Sequence, residues 1–228
     1  MFKLQIKYLS FFFGIVSILS FFNILYSYYF NLYLNLDTYY FTLLASFILF
    51  IIFFKFGKYD IKSNIFQKIL TIFLGYLLIP LVLSIPFYFS IYNLTFSNSF
   101  FEAISGFTST GFTVFDNIKL IDQSLVIWRS STQWLGGLYF LFSIIYLIDI
   151  YDDSFKKTLT NYISFNSSEI LKQAAKIFIL YSSLTIMIFI ILNIFSIRTF
   201  DSLNLALTII SSGGFLPVNE LSMIVKEN

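Results

Sequence analysis

The chain has 228 residues, of which 58% are hydrophobic and only 11% are charged, and its formal net charge is +2. Because a soluble domain carries about a quarter of its residues as charged ones, this composition indicates an integral membrane protein. The sequence contains no Cys and no His, which excludes disulfides, thiolate or imidazole metal sites and the usual general base, and the small charge gives no sign of a nucleic-acid-binding face. We therefore expect neither an enzyme nor a cofactor.

Five long apolar stretches predict transmembrane helices, because about 20 apolar residues cross the roughly 30 Å of hydrocarbon in a bilayer. The first follows Lys3 and Lys7, and it is too long, and lacks the small-residue site, for a cleaved signal peptide. Pro80 and Pro86 fall in the third stretch, where neighbouring helices can satisfy the carbonyl groups that a proline frees. The predicted spans cover about residues 8–30, 38–54, 69–92, 124–148 and 177–197.

The distribution of lysines predicts the topology. Cytoplasmic connectors of membrane proteins are enriched in Lys and Arg, and lysines cluster before the first span, after the second and after the fourth. All three clusters lie on one side only if residues 97–115 enter the membrane and return. This re-entrant arrangement places 10 of the 12 lysines in the cytoplasm and leaves Lys119 outside, beside the hairpin. The N-terminus is then cytoplasmic.

The polar segment inside this hairpin, within "FFEAISGFTSTGFTVF" at residues 100–115, stands between apolar spans. Ser99 and Glu102 have the spacing of a capping box, in which a hydroxyl and a Glu three residues later satisfy free amide groups at a helix start. This spacing predicts a short helix over about residues 100–107. It is followed by Thr108, Ser109, Thr110 and Gly111.

Non-helical backbone at membrane depth is tolerated only where protein buries it or water reaches it. Carbonyl groups turned toward an axis would replace the hydration shell of an ion, and the negative C-terminal end of the short helix would favour a cation. The hairpin therefore predicts a pore helix followed by one strand of a cation selectivity filter. The alternative is an extracellular loop packed on the bundle, with Gly111 serving a turn.

A second copy of this pattern follows the fifth span. An acidic residue near a helix start, Asp201, is followed by hydroxyl residues, glycine and phenylalanine, and aligning Gly111 with Gly214 gives an offset of 103 residues. The tandem glycines leave this register open by one. The second filter strand would consist of Ser211, Ser212, Gly213 and Gly214.

A third segment, "WRSSTQWLGG" at residues 128–137, completes a resemblance to a known family. The FEA pore loop followed by W-R-S-x-x-Q-W-x-G-G resembles the Trk/Ktr/HKT superfamily of potassium transporters, in particular the bacterial Trk membrane subunit. The resemblance extends over essentially the whole chain. It implies an all-α membrane protein of the bacterial cytoplasmic (inner) membrane, with about five transmembrane helices and two short pore helices.

The resemblance also implies an organisation and partners. Residues 1–64 would be an N-terminal hairpin, residues 65–160 a complete helix, pore loop and helix unit, and residues 161–228 a second unit that stops soon after its filter. Since the family builds its pore for K⁺ from four units, the chain would be an incomplete pore. The missing units would come from another chain or a second copy, and a cytosolic nucleotide-binding regulatory subunit is a further expected partner.

Five residues are candidates for structural support of the filter. Arg129 could pair with Glu102 or Asp116 to brace the pore loop, or extend its charge to the interface. Gln133 could hydrogen-bond in the interior. Gly136 and Gly137 could let the pore helix of the same unit approach closely, or be a tolerated weak point.

Two rival functions are weighed against potassium transport. The first is an enzyme in which the carboxylate cluster Asp149, Asp152 and Asp153 holds Mg²⁺ for a lipid diphosphate. Such enzymes need a second acidic cluster that faces the first, and the other nearby cytoplasmic acids are only Asp60 and Glu169. The second is a membrane structural or assembly protein with loops that merely pack, and it stays as the alternative.

Overall fold

The computed structural model describes residues 7–57, 65–148, 170–219 and 224, and within these residues the chain is helical with no strand. The predicted all-α class is confirmed. The helices are α1 (Lys7–Tyr29), α2 (Leu36–Phe56), α3 (Ile65–Leu83), α4 (Ile85–Tyr88), α5 (Phe96–Phe107), the 3-10 turn η1 (Ile118–Leu120), α6 (Gln123–Ile148), α7 (Ile170–Ile194) and α8 (Thr199–Ile210).

Some residues that the sequence analysis singled out lie outside the described residues, and they keep their roles as predictions only. They include the whole candidate Mg²⁺ cluster and several of the lysines used to predict topology. These residues are Lys3, Lys58, Asp60, Lys62, Asp149, Asp152, Asp153, Lys156, Lys157 and Glu169.

Four helices of the described part are long and apolar enough to cross a membrane, namely Lys7–Tyr29, Leu36–Phe56, Phe66–Tyr88 and Lys176–Ile194. They correspond to four of the five predicted spans, and the protein is a multi-pass membrane protein. The remaining predicted span corresponds to α6, which has 26 residues. It is not among the four apolar helices, because the first half of α6 contains many polar residues. That α6 also crosses the membrane stays a prediction.

The third predicted span consists of two consecutive helices, since α3 ends at Leu83 and α4 begins at Ile85, with Pro86 at the start of α4. Helical hydrogen bonds continue across Ser84, because Ser84 N donates to Pro80 O at 2.9 Å and Tyr88 N donates to Ser84 O at 2.9 Å. Pro86 has no N–H and leaves one bond of this series unmade. Pro80, by contrast, lies inside α3.

Helix α6 lies at the centre of the bundle, where it contacts α1, α3, α5 and α8. Its side chains are anchored to these neighbours by buried hydrogen bonds. Trp128 Nε1 donates to Leu83 O of α3 at 3.0 Å, and Ser130 Oγ bonds Asn204 Oδ1 of α8 at 2.7 Å. Such bonds compensate for burying polar groups in an apolar chain, and they fix α3 and α8 against one scaffold helix.

The predicted capping box is wrong. Helix α5 begins earlier, at Phe96, and Thr95 is its N-cap, with Thr95 Oγ1 accepting from Asn98 N at 3.3 Å. Ser99 Oγ instead donates to Thr95 O at 3.0 Å. Glu102 lies within the helix and is fully buried, so its carboxylate is used in packing and not at the helix start.

The repeat predicted from the sequence is present in the backbone. Helices α5 and α8 each have 12 residues and begin 103 positions apart, at Phe96 and Thr199. Positive φ values recur at the same offset, at Asn93 and Ser196 and at Ser109 and Ser212. Gly214, and not Gly213, therefore corresponds to Gly111, which removes the ambiguity of one residue.

Candidate functional site

The first loop, defined as residues 108–113, continues directly from the C-terminal end of α5. Ser109 and Gly111 adopt positive φ angles of 54° and 83°, which turn the chain away from the helix axis. Thr110 N donates to Ser105 O at 2.9 Å, and Ser105 Oγ donates to Phe112 O at 2.6 Å. The helix end thus fixes the loop at two points.

The second loop, defined as residues 211–216, follows α8 in the same manner. Ser212 has a φ of 55°, and Gly213 N donates to Thr208 O at 2.8 Å. The two loops differ at their phenylalanines, because Phe112 is 70% exposed and Phe215 only 2%. Phe215 N also donates to the buried Gln133 Oε1 of α6 at 3.1 Å.

The two loops meet at their glycines. A Cβ atom added to Gly111 would lie 2.5 Å from Gly214 Cα, closer than nonbonded carbon atoms approach. The positive φ of Gly111 disfavours any side chain in addition. This contact brings together two segments that are 103 residues apart in the sequence.

The backbone carbonyl groups of the loops are available to a ligand. No donor in the described part of the chain bonds the carbonyl oxygens of residues 108–111 or 211–214. Thr108, Thr110, Ser212 and Gly214 are exposed, so the oxygens of the loops are open to water or a cation. The described residues contain no group of three His, Cys, Asp or Glu side chains that could hold a metal ion.

A buried ion pair braces the first loop. Arg129 Nε lies 2.7 Å from Glu102 Oε1, and both side chains are almost fully buried. Glu102 also accepts from Thr113 Oγ1 at 3.0 Å and from Val114 N at 2.9 Å. Of the arrangements predicted for Arg129, pairing with Glu102 is therefore present, whereas Asp116 is exposed and Arg129 does not extend to an interface.

Arg129 also contacts the second loop. Its Nη1 donates to Leu216 O at 3.4 Å, and its guanidinium lies 4.3 Å from the centre of the Phe215 ring. The Nη2 atom donates to Thr113 Oγ1 at 3.1 Å. One guanidinium group, with donors in a fixed planar arrangement, thus holds both loops.

The adjacent glycines of α6, Gly136 and Gly137, allow two different segments of the chain to approach this helix closely. A Cβ at Gly136 would collide with the carbonyl of Phe107, the last residue of α5. A Cβ at Gly137 would lie 2.7 Å from Ser211 Cβ, at the start of the second loop. The Gly136 contact is with α5 and the Gly137 contact is with the second loop, so α6 is a common support for both loops.

Sequence reasoning missed three residues that position the loops, namely Ser105, Thr113 and Phe215. Ser105 and Phe215 have a signal in the repeat, because Thr208 and Phe112 stand at the same offset of 103 residues from them. Thr113 takes part through contacts with Glu102 and Arg129 that no local pattern encodes.

Comparisons with known proteins find relatives of the chain, although no family model matches it. An uncharacterised cation transporter of Methanocaldococcus jannaschii is 27% identical over 168 residues, which cover 67% of this chain and 34% of that protein. The Trk system potassium uptake protein TrkH of Escherichia coli is 25% identical over 165 residues, or 69% of this chain and 34% of that protein.

The fold is similar to that of the potassium transporter TrkH from Vibrio parahaemolyticus in its crystal structure. The TM-score is 0.76 at 18% sequence identity, and the match covers 95% of this chain and 44% of that chain. The resemblance to the Trk-type potassium transporters is confirmed. The chain has a TrkH-like fold and spans about a third of the length of the curated relatives that it matches.

Proposed function

We propose that this chain supplies two filter loops to a Trk-type pore that takes up K⁺ across the bacterial cytoplasmic membrane. The observation that carries this proposal is the pairing of two equivalent loops with open carbonyl groups, at residues 108–111 and 211–214. Carbonyl oxygens in such loops replace the hydration shell of K⁺ as it passes.

The ends of the two short helices support the choice of a cation. Helices α5 and α8 both end where their loops begin, and the C-terminal end of a helix carries roughly half an elementary negative charge. Two such ends at one site favour a positive ion without any carboxylate. The relatives that are named potassium uptake proteins support K⁺ as this ion.

Two loops form only part of a ring. The carbonyl groups on two sides of an ion leave its other sides open, and selective dehydration requires oxygens all round. We propose that further pore units complete the ring, from another polypeptide or a second copy, and that a cytosolic nucleotide-binding subunit regulates the assembly. The unit boundaries after residues 64 and 160 belong to the same proposal.

Growth of a potassium-uptake-deficient bacterium on limiting potassium tests this function. We expect growth when the chain is expressed together with a polypeptide that supplies further pore units, and no growth with either part alone. The alternative, a structural or assembly protein, predicts that those further units support the same growth without this chain. Growth with this chain alone, in cells shown to make no longer product, would contradict the need for further loops.

The topology proposed for the pore can be tested separately with single cysteines, because the native chain has none. We expect Leu120→Cys to react with an impermeant reagent in intact cells, since Leu120 is 75% exposed and follows the re-entrant hairpin. Phe56→Cys and Lys176→Cys should react only after the membrane is opened. If intact cells show labelling of the Lys176→Cys variant and no labelling of the Leu120→Cys variant, residues 97–115 span the membrane.

A further inference from the structure

A side-chain contact at residue 219 joins the two chain segments that leave the loops. Asn219 Oδ1 accepts from Ile118 N at 2.8 Å, and Asn219 Nδ2 donates to Asn117 Oδ1 at 3.0 Å. One amide side chain after the second loop therefore bonds two consecutive residues after the first loop. We call this contact, between Asn219 and residues 117–118, the amide clasp.

The amide clasp is the last of three connections along these segments. The first is the close approach of Gly111 and Gly214. The second is Arg129, which donates to Thr113 Oγ1 and to Leu216 O. Because the first two links lie within the loops and the last lies beyond them, loss of the last link would let the segments after the loops separate and the loops tilt about the remaining links.

The chemistry at residue 219 is specific. The side chain has to accept from a backbone N–H and donate to an oxygen at the same time, which an amide does and a carboxylate does not. Asn117 Oδ1 is already committed as an acceptor, because it also receives Lys119 N at 3.1 Å. The amide of Asn117 therefore cannot be reversed to offer its own donor without releasing Lys119 N.

We propose that Asn219 is a positioning residue that sets the separation of the two filter loops and thereby the preference of the pore for K⁺ over Na⁺. This inference rests on the proposed function. Asn219 touches no ion, and it acts through the loop backbone to which its segment is joined. A ring that is free to widen would hold K⁺ less selectively, since discrimination depends on the placement of the carbonyl oxygens.

The hydrogen-bonding pattern predicts an ordered series of variants. Asn117→Asp keeps the acceptor and should retain the selectivity of the wild type. Asn219→Asp keeps the acceptor for Ile118 N but loses the donor, and should reduce the ratio of K⁺ to Na⁺ uptake by roughly two- to tenfold, the effect of one hydrogen bond. The double variant sets two carboxylates against each other and should be the least selective.

The experiment measures K⁺ and Na⁺ uptake by the transporter assembled from this chain and the further pore units of the proposed function. We expect Asn219→Asp to change the KM for K⁺ and the ion preference with expression unchanged, which a purely structural role would not produce. Equal selectivity of the wild type, Asn219→Asp and the double variant would overturn the inference. Absence of K⁺ uptake by the wild type would instead overturn the proposed function, and the inference with it.

Discussion

Replacing Arg129 with leucine is expected to destabilise the folded protein by about 3–5 kcal/mol, the usual effect of removing one partner of a buried ion pair. The carboxylate of Glu102, which has no exposed surface, would remain buried without its counter-charge. The links from Arg129 to Thr113 and Leu216 would be lost as well. The change is measured as the midpoint of unfolding of the purified protein in detergent micelles.

A matched control for this variant is Arg198→Leu. Arg198 also pairs with a carboxylate, at 3.0 Å from Asp201, and the side chain of Arg198 is 62% exposed whereas that of Asp201 is 3% exposed. Removing Arg198 also leaves a buried carboxylate, but the arginine end of this pair is solvated, so we expect a smaller loss of stability than for Arg129→Leu. Replacing Glu102 with glutamine in the Arg129→Leu background should recover part of the stability, because no buried charge is then left unpaired. Equal effects of Arg129→Leu and Arg198→Leu would contradict the bracing role.

Replacing Gly111 with serine is expected to reduce the preference for K⁺ over Na⁺ by about tenfold or more, because a side chain held at positive φ carries about 1–3 kcal/mol of strain. The added Cβ would also lie 2.5 Å from Gly214 Cα. Both effects displace the carbonyl groups of the first loop. The measurement is the ratio of K⁺ to Na⁺ uptake by the assembled transporter, at matched expression.

Gly14→Ser is the control for Gly111→Ser. A Cβ at Gly14 would meet only the Phe50 ring, at 3.4 Å, so that variant should keep the wild-type ion preference. If Gly111→Ser is expressed and keeps the same preference, Gly111 does not lie in an ion filter.

Local sequence patterns were sufficient to predict the long helices and the internal repeat. Long apolar stretches predicted the positions of the long helices, and the shared hydroxyl, glycine and phenylalanine order predicted the repeat, with Gly213 or Gly214 corresponding to Gly111. The structure added the register, because Ser109 and Ser212 share a positive φ. Backbone conformation thus distinguished two glycines that the sequence could not.

Contacts between distant residues could not be read from such patterns. The spacing of Ser99 and Glu102 matched a capping box, but the hydroxyl of Thr95 starts the helix one turn earlier. Glu102 then pairs with a residue 27 positions away. The sequence left two partners open for Arg129, because both were acidic and near the same loop, and only packing against α6 selects between them.

The central claim, that both loops line one K⁺ filter, is tested most directly by competition in rubidium uptake, with rubidium serving as a substitute for potassium. In the assembled transporter we expect excess K⁺ to suppress this uptake strongly and excess Na⁺ to suppress it weakly. Gly111→Ser and Gly214→Ser should each make Na⁺ a stronger competitor, since a Cβ on either glycine meets the other at 3.3 Å or less. Competition by Na⁺ that is unchanged in both variants, at normal expression, would contradict the claim.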